Sequence, residues 1–500
     1  MTLTTRPSPD LNELKGWLAT GRLNHVGGEW RQAASGAKFE VENPADFKEI
    51  IAHFPASSAE DVQAAIEAAS QAQGAWAALP APQRGAIIAR AIAALRAQAE
   101  LLSHVLSWEC GKVLAEARVE VNRGLNAMEY LNGEARRMHG LTVPSEQPGM
   151  FAYTVRRALG VVGLITPWNF PFAIPAWKLV PALVTGNAVV LKPAEQTPIC
   201  AALIVKAFAE AGLPSGVLNL VHGDGKVGAA LVADPGVRAL SFTGSTAVGK
   251  RINQQAAGRL AKVQLELGGK NAAIVLPDAD LDLAAREIAM AAWGSTGQRC
   301  TATSRVIVLK EVARPLVERL MAHVQALKVG PGLDEENTMG PLINQEAMDK
   351  VERYMAIARQ EGATFAYGGH RMGGEYKKGY FFEPTLLTGV KHEHAVACEE
   401  VFGPVLAVIE VETIDEALAI ADDVDYGLSS AIFTRDMHQA FVYAERLRTG
   451  LAHVNCASVF SEVHLPFGGM KDSGFGGREM GPAAIDFYTE TQTMYLKHGS

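Results

Sequence analysis

The sequence predicts an α/β protein built on two mostly parallel sheets in separate domains, with a small β arm outside both. Three observations carry this. From about Val161, short apolar runs rich in Val and Leu alternate with helical stretches, the pattern of βαβ units and of a sheet covered on both faces. A second series of the same kind begins after "ELGGK". The chain's 500 residues are also too many for one hydrophobic core.

In chain order, Ser57 to Glu60 in "SSAED" reads as a capping box opening a helix, with Val62, Ile66 and Ala69 on one face. A longer helical pattern follows through Ile87, Ile88, Ile92, Leu95, Leu101 and Leu102. The first sheet takes "VVGLIT", "AVVLK", "VLNLV", "ALSFTG" and "KVQLEL", with helices near 198–212, 225–233 and 246–258. The second takes "AAIVL", "SRVIVLK" and strands near 405–411 and 451–455, with helices near 312–327 and 345–361. "FAYTVRRALG" and the tail "DFYTETQTMYL" alternate with period two but fit neither series. Strands so placed suit subunit pairing. No internal repeat or low-complexity tract interrupts the chain.

The net charge of −8 is spread along the chain and gives no footing for nucleic acid or an acidic membrane surface. No apolar run approaches the roughly 20 residues of a membrane helix. "MTLTTRPSPDLNELKGWL" has no apolar core behind a basic start, so no secretory signal is expected. The five cysteines are odd in number and far apart, without a CxxC pair. That excludes a disulfide framework and a zinc site, and points to a reducing cytoplasm. His392 and His394 lie in a charged stretch with no HExxH, so no metal is expected.

"FTGSTAVGK" ends a strand and opens a helix. Gly244 and Gly249 admit a close backbone approach, and a helix N-terminus attracts phosphate. The spacing is neither GxGxxG nor a P-loop, because Arg251 follows Lys250. In "LKPAEQTP", Lys192 and Glu195 project at a strand's carboxyl end, where open α/β sheets bind ligands. A carboxylate there can accept hydrogen bonds from both hydroxyls of a ribose. Each stretch alone fits an ordinary turn equally well.

Taken in order, "TPWNFP", "LKPAEQTP", "FTGSTAVGK", "ELGGKN", "GQRCTA", "EEVFGPV" and "PFGGMKDSG" resemble the NAD(P)-dependent aldehyde dehydrogenase superfamily over nearly the whole chain. The resemblance implies a Rossmann-type cofactor domain over 1–140 and 159–267. It implies an α/β catalytic domain over 268–484 and oligomerisation strands over 141–158 and 485–500. A homodimer or homotetramer follows from it.

By the same resemblance, Cys300 in "GQRCTA" is the nucleophile, forming a thiohemiacetal and then a thioester with an aldehyde. Cys110, Cys200 and Cys398 read as inert packing cysteines. Asn169 matches the residue whose amide, with the Cys300 N–H, cradles the oxyanion. Glu266 matches the general base; flanked by Leu265 and Leu267, it is ill placed for a solvent-facing strand end. Lys178 is a lysine kept near the site. Glu479 matches a second carboxylate of proton-relay type, here spaced by an additional glycine in "SGFGGRE".

On the cofactor side, Lys192 and Glu195 match the adenosine ribose site, and Glu400 with Phe402 the nicotinamide ribose site. Ser245 and Trp168 match the pyrophosphate region. Thr166, Gly225, Phe242, Gly244, Gly249 and Leu267 complete the cofactor set.

The presence of Glu266 implies hydrolysis to a free acid rather than transfer to coenzyme A. Glu195 implies NAD over NADP, with NADP still possible, since a carboxylate there repels a 2′-phosphate. "TPWNFPFAIPAWK" and "STGQRCTATSR" are similar to bacterial 2-oxoglutarate semialdehyde (2,5-dioxopentanoate) dehydrogenases. Trp177 stands where succinate-semialdehyde enzymes carry an arginine. Phe170, Trp177, Phe460 and Phe467 equally suit a broad-range or aromatic aldehyde. Arg299 is a candidate partner for a substrate carboxylate, with holding the loop, pointed away from the pocket, as the favoured reading. A catalytically silent binding homologue would have lost Cys300, Glu266 or Asn169, and all three are present.

Overall fold

The computed structural model describes residues 11–498. The first ten residues of the N-terminal stretch and the last two of the tail lie outside the described residues.

The first sheet has eight strands. Five of them form its parallel centre, in the spatial order Leu218–Leu220, Ala188–Lys192, Val161–Ile165, Val237–Thr243, Lys262–Glu266. Chain order reverses across Val161–Ile165, so ligand space opens beyond the carboxyl ends of the strands at that point. The antiparallel pair Asn24–Val26 and Glu29–Arg31 extends one edge. At the other edge, Gly474–Phe475 pairs with Lys262–Glu266. A segment expected in the second domain therefore closes the first sheet, and it carries the preceding loop over Glu266.

The second sheet has seven strands. The series expected from sequence is present, and Ser429–Phe433 lies between Asn271–Val275 and Leu451–Val454. Its sequence, "SSAIF", lacks a long apolar run. Ser429 and Ser430 are buried because their hydroxyls are paired, with the Ser458 carbonyl at 2.6 Å and the Tyr443 hydroxyl at 2.8 Å respectively.

Two local expectations need correction. The helix Ala59–Ala78 is capped one residue later than expected, by Ser58 and Asp61. Ser57 lies before the helix; its N–H is tied to the His222 carbonyl, and its hydroxyl accepts from Asn24. The long helical pattern breaks at Gln98 into Ala81–Ala97 and Ala99–Cys110.

Met150–Ala158 and Thr489–Lys497 pair antiparallel in a separate three-stranded sheet with Thr142–Val143. Leu141, Val143, Phe151, Tyr495 and Leu496 are exposed on or beside it. The main sheets instead bury apolar layers on both faces: Val162, Leu164, Val189 and Leu191 on one side of the first, Val161, Val190, Leu240 and Leu265 on the other.

Candidate active site

Two clefts meet at Cys300. One, of about 270 Å³, is lined by Trp168, Asn169, Ser245, Glu400 and Phe402. The other, of about 610 Å³, is lined by Phe170, Trp177, Arg299, Phe460 and Phe467. Ile174, Thr243, Leu267 and Cys300 belong to both walls. A third cleft of about 770 Å³ continues from the first through Gln196, Ile343 and Asn344 and contains Glu195.

The segment before Cys300 is strained. Ser295 and Thr296 have φ of 50° and 59°, and Gly297 has 68°. A side chain at Gly297 would meet the Gly403 carbonyl at 2.1 Å, which requires glycine. Three anchors hold this backbone: Glu116 accepts from Ser295 N, Thr296 donates to the Gly340 carbonyl, and Arg299 pairs with Glu116 at 3.0 Å. Asn169 Nδ2 donates to the Gln298 carbonyl at 2.9 Å, which sets its amide against the same loop. Burial first, then the carboxylates of Glu266, Glu400 and Glu479, push the Cys300 thiol up to about 12.

Glu266 ends the strand Lys262–Glu266 and is buried. Its Oε2 accepts from Gly469 N at 3.2 Å, while Oε1 has no protein partner. Burial, then Glu479, holds its carboxyl well above the ordinary range. Glu479 is pinned by two backbone hydrogen bonds with Phe467. Its carboxylate faces inward, accepting from Trp177 Nε1 at 2.7 Å and pairing with Lys178. Lys178 also donates to Ser241 at 2.7 Å. It is fully buried, behind the cleft wall rather than in it.

The residues expected to hold the cofactor lie at the carboxyl ends of strands, at helix starts and on the facing loops. Lys192 and Glu195 form a 3.1 Å pair at a strand's carboxyl end. Gly225 opens the helix Gly225–Ala233, capped by Asp224, beside the large cleft. Ser245 precedes the helix Thr246–Ala257, and its hydroxyl caps no backbone N–H. Gly249 packs against Leu267, where a Cβ would come within 2.4 Å. Phe242 is buried and packs so closely on Gly244 that a Cβ there would come within 2.4 Å of its ring. Glu400 accepts from Gly269 N at 2.9 Å. Phe402 takes φ of 60° and packs edge-on to Trp168 at 5.5 Å. The hydroxyls of Thr166 and Thr243 are buried without a protein partner.

Asn344, Glu346 and Lys350 also line the clefts that contain Glu195, Ser245 and Glu400, from the helix Gln345–Gln360 and its cap. Sequence reading missed them. They are single polar residues on an amphipathic helix of the other domain, and no local motif marks them.

A family model for "Aldehyde dehydrogenase family" matches residues 30–494. The chain belongs to the aldehyde dehydrogenase family. This aldehyde dehydrogenase is 43% identical to the alpha-ketoglutaric semialdehyde dehydrogenase of Bacillus subtilis, over 95% of this chain and 98% of the relative. It is 41% identical to the 2,5-dioxopentanoate dehydrogenase of Saccharolobus solfataricus, over 92% and 96%. Among solved structures it resembles the betaine aldehyde dehydrogenase of Staphylococcus aureus in complex with NAD+, with a TM-score of 0.93, 34% identity and coverage of 97% and 96%. Among the described residues of this oxidoreductase, no helix is long and apolar enough to cross a membrane.

Proposed function

We propose that this aldehyde dehydrogenase oxidises 2-oxoglutarate semialdehyde to the free acid, with NAD as acceptor. The observation that carries the reading is the position of Cys300 in the wall between an aromatic cleft and a cofactor cleft. The names of the relatives from Bacillus subtilis and Saccharolobus solfataricus support the substrate.

The cofactor cleft fits NAD. Thr243 presents a hydroxyl with no protein partner to it. Ser245 keeps its hydroxyl uncommitted at a helix N-terminus. Lys192 and Glu195 would hold the adenosine ribose, and Glu400 the nicotinamide ribose. When bound, NAD supplies the hydride acceptor. Glu195 makes a 2′-phosphate unwelcome, so NAD is preferred to NADP.

Cys300 attacks the aldehyde carbon as the thiolate, the form in which hydrolysis of the previous thioester releases it, giving a thiohemiacetal. The second amide proton of Asn169 and the Cys300 N–H stabilise the oxyanion. Loss of hydride leaves a thioester on Cys300. Glu266, with a free Oε1 and a raised pKa, takes a proton from the water that cleaves it. Lys178 and Glu479 act behind Glu266 as positioning residues.

The unpaired state of all five cysteines suits the cytoplasm. The exposed apolar residues of the three-stranded arm suit a homodimer or homotetramer.

A panel of aldehydes tested with NAD and NADP, ranked by kcat/KM from the absorbance of the reduced cofactor, tests the reading. 2-Oxoglutarate semialdehyde with NAD should rank first, without coenzyme A. The aromatic cleft supports a second reading, a broad-range or aromatic aldehyde, which a higher rank for benzaldehyde would establish.

A further inference from the structure

The aldehyde cleft holds one cation with no obvious employment. Three cations line it: Lys112, Arg123 and Arg299. Lys112 is buried against Glu120 and donates to the Asn169 carbonyl at 2.9 Å. Arg299 is committed to Glu116 and to the Ser295 hydroxyl at 3.0 Å. Arg123 forms no ion pair with any described carboxylate. Its hydrogen bond among the described residues goes to the hydroxyl of Ser461, and its side chain lines the cleft.

Its position is well fixed. Arg123 lies on the helix Leu114–Asn132, half-buried, with its guanidinium 5.9 Å from the centre of the Trp177 ring. Trp177 is in turn held by Glu479 at 2.7 Å. The next residue, Gly124, packs so closely on Phe172 that a Cβ would come within 2.7 Å. Glu120, one turn earlier, accepts from Phe172 N and Ala173 N at 3.1 and 3.2 Å. The helix that carries Arg123 is thus locked to the segment that carries Asn169 and Phe170. A partly desolvated guanidinium with open donors is a site for a carboxylate, which it can grip with two parallel hydrogen bonds.

We propose that Arg123, steadied by Ser461 and Trp177, binds the carboxylate at the far end of the semialdehyde, and so selects acid-bearing aldehydes over neutral ones. Arg299 keeps the loop-holding role, because Glu116 and Ser295 already occupy it. The proposal rests on the substrate reading above and deepens it.

The test compares 2,5-dioxopentanoate with pentanal, an aldehyde of the same chain length without the carboxylate. The wild-type enzyme should prefer the charged substrate in kcat/KM. Arg123→Met should reduce that preference at least tenfold, mainly through KM, with NAD affinity as the check on folding. Arg123→Lys keeps a charge but loses the fork; it should raise KM for 2,5-dioxopentanoate while retaining part of the preference. That variant carries the test if the methionine variant does not fold, and an unchanged KM there overturns the proposal. A wild-type enzyme that takes pentanal as readily overturns the substrate reading, and the anchor with it. A wild-type preference that survives intact in Arg123→Met, or that is lost in Arg299→Met alone, overturns the anchor and leaves the substrate reading standing.

Discussion

Trp177 Nε1 donates to Glu479 Oε2 at 2.7 Å, tying the wall of the aldehyde cleft to the carboxylate that electrostatically faces Glu266. The same carboxylate pairs with the fully buried Lys178. One side chain therefore supports the cleft and adds to the burial that raises the pKa of the proposed base.

Glu479→Gln should separate these effects. Breaking one partner of a buried ion pair costs about 3–5 kcal/mol, so Tm should fall. Glu479 helps hold the Glu266 carboxyl up, so removing its charge lowers that pKa. The acidic limb of kcat against pH, the parameter that contains deacylation, should move to lower pH. An unmoved limb would mean that Glu266 does not control it.

Glu266 should also reduce stability. Its folded-state pKa lies well above that of the unfolded chain, so the folded chain holds the proton more tightly. This contribution to stability is fully present below about pH 4.3 and is lost as pH rises through the folded-state pKa. Glu266→Gln, neutral throughout, should melt above wild type at pH 8, with the gap narrowing at pH 5. Calorimetry at the two pH values checks this; a variant that melts lower at pH 8 would contradict it.

The cofactor preference should rest on Glu195. Glu195→Gln should raise kcat/KM with NADP and lower it with NAD. Hydrogen bonds to a charged acceptor contribute about 1.5–3 kcal/mol, so the NAD:NADP ratio should fall at least tenfold, mostly in KM. Lys192, 3.1 Å from Glu195, offsets part of the repulsion, which is why NADP is disfavoured rather than excluded. A fixed ratio would remove Glu195 from the ribose.

What could be read from the sequence was local. Val161–Ile165 and Ala188–Lys192 are fully buried strands, and short segments rich in Val and Leu between helical stretches signal such strands directly. Cys300 and Glu266 stood out because their immediate neighbours are unusual for a packing cysteine or a surface glutamate. Arg123, Asn344 and Lys350 carry no such mark. Each is a single side chain on or beside a helix, brought to a cleft by tertiary packing. Ser429–Phe433 was hidden for a related reason: its serines are paid for by partners 29 and 13 residues away. The Ser58 cap was missed by one residue because Ser57, an equally good capping residue, is held by His222 and Asn24.

The central claim is that Cys300 carries the acyl group and Glu266 releases it. Mass spectrometry of Glu266→Gln, quenched during turnover of 2-oxoglutarate semialdehyde with NAD, tests it most directly. The expected result is an acyl adduct on the peptide bearing Cys300, accumulating as reduced cofactor appears in a burst. A burst with no adduct on Cys300, or an adduct instead on Cys456 of the same cleft, would contradict the account.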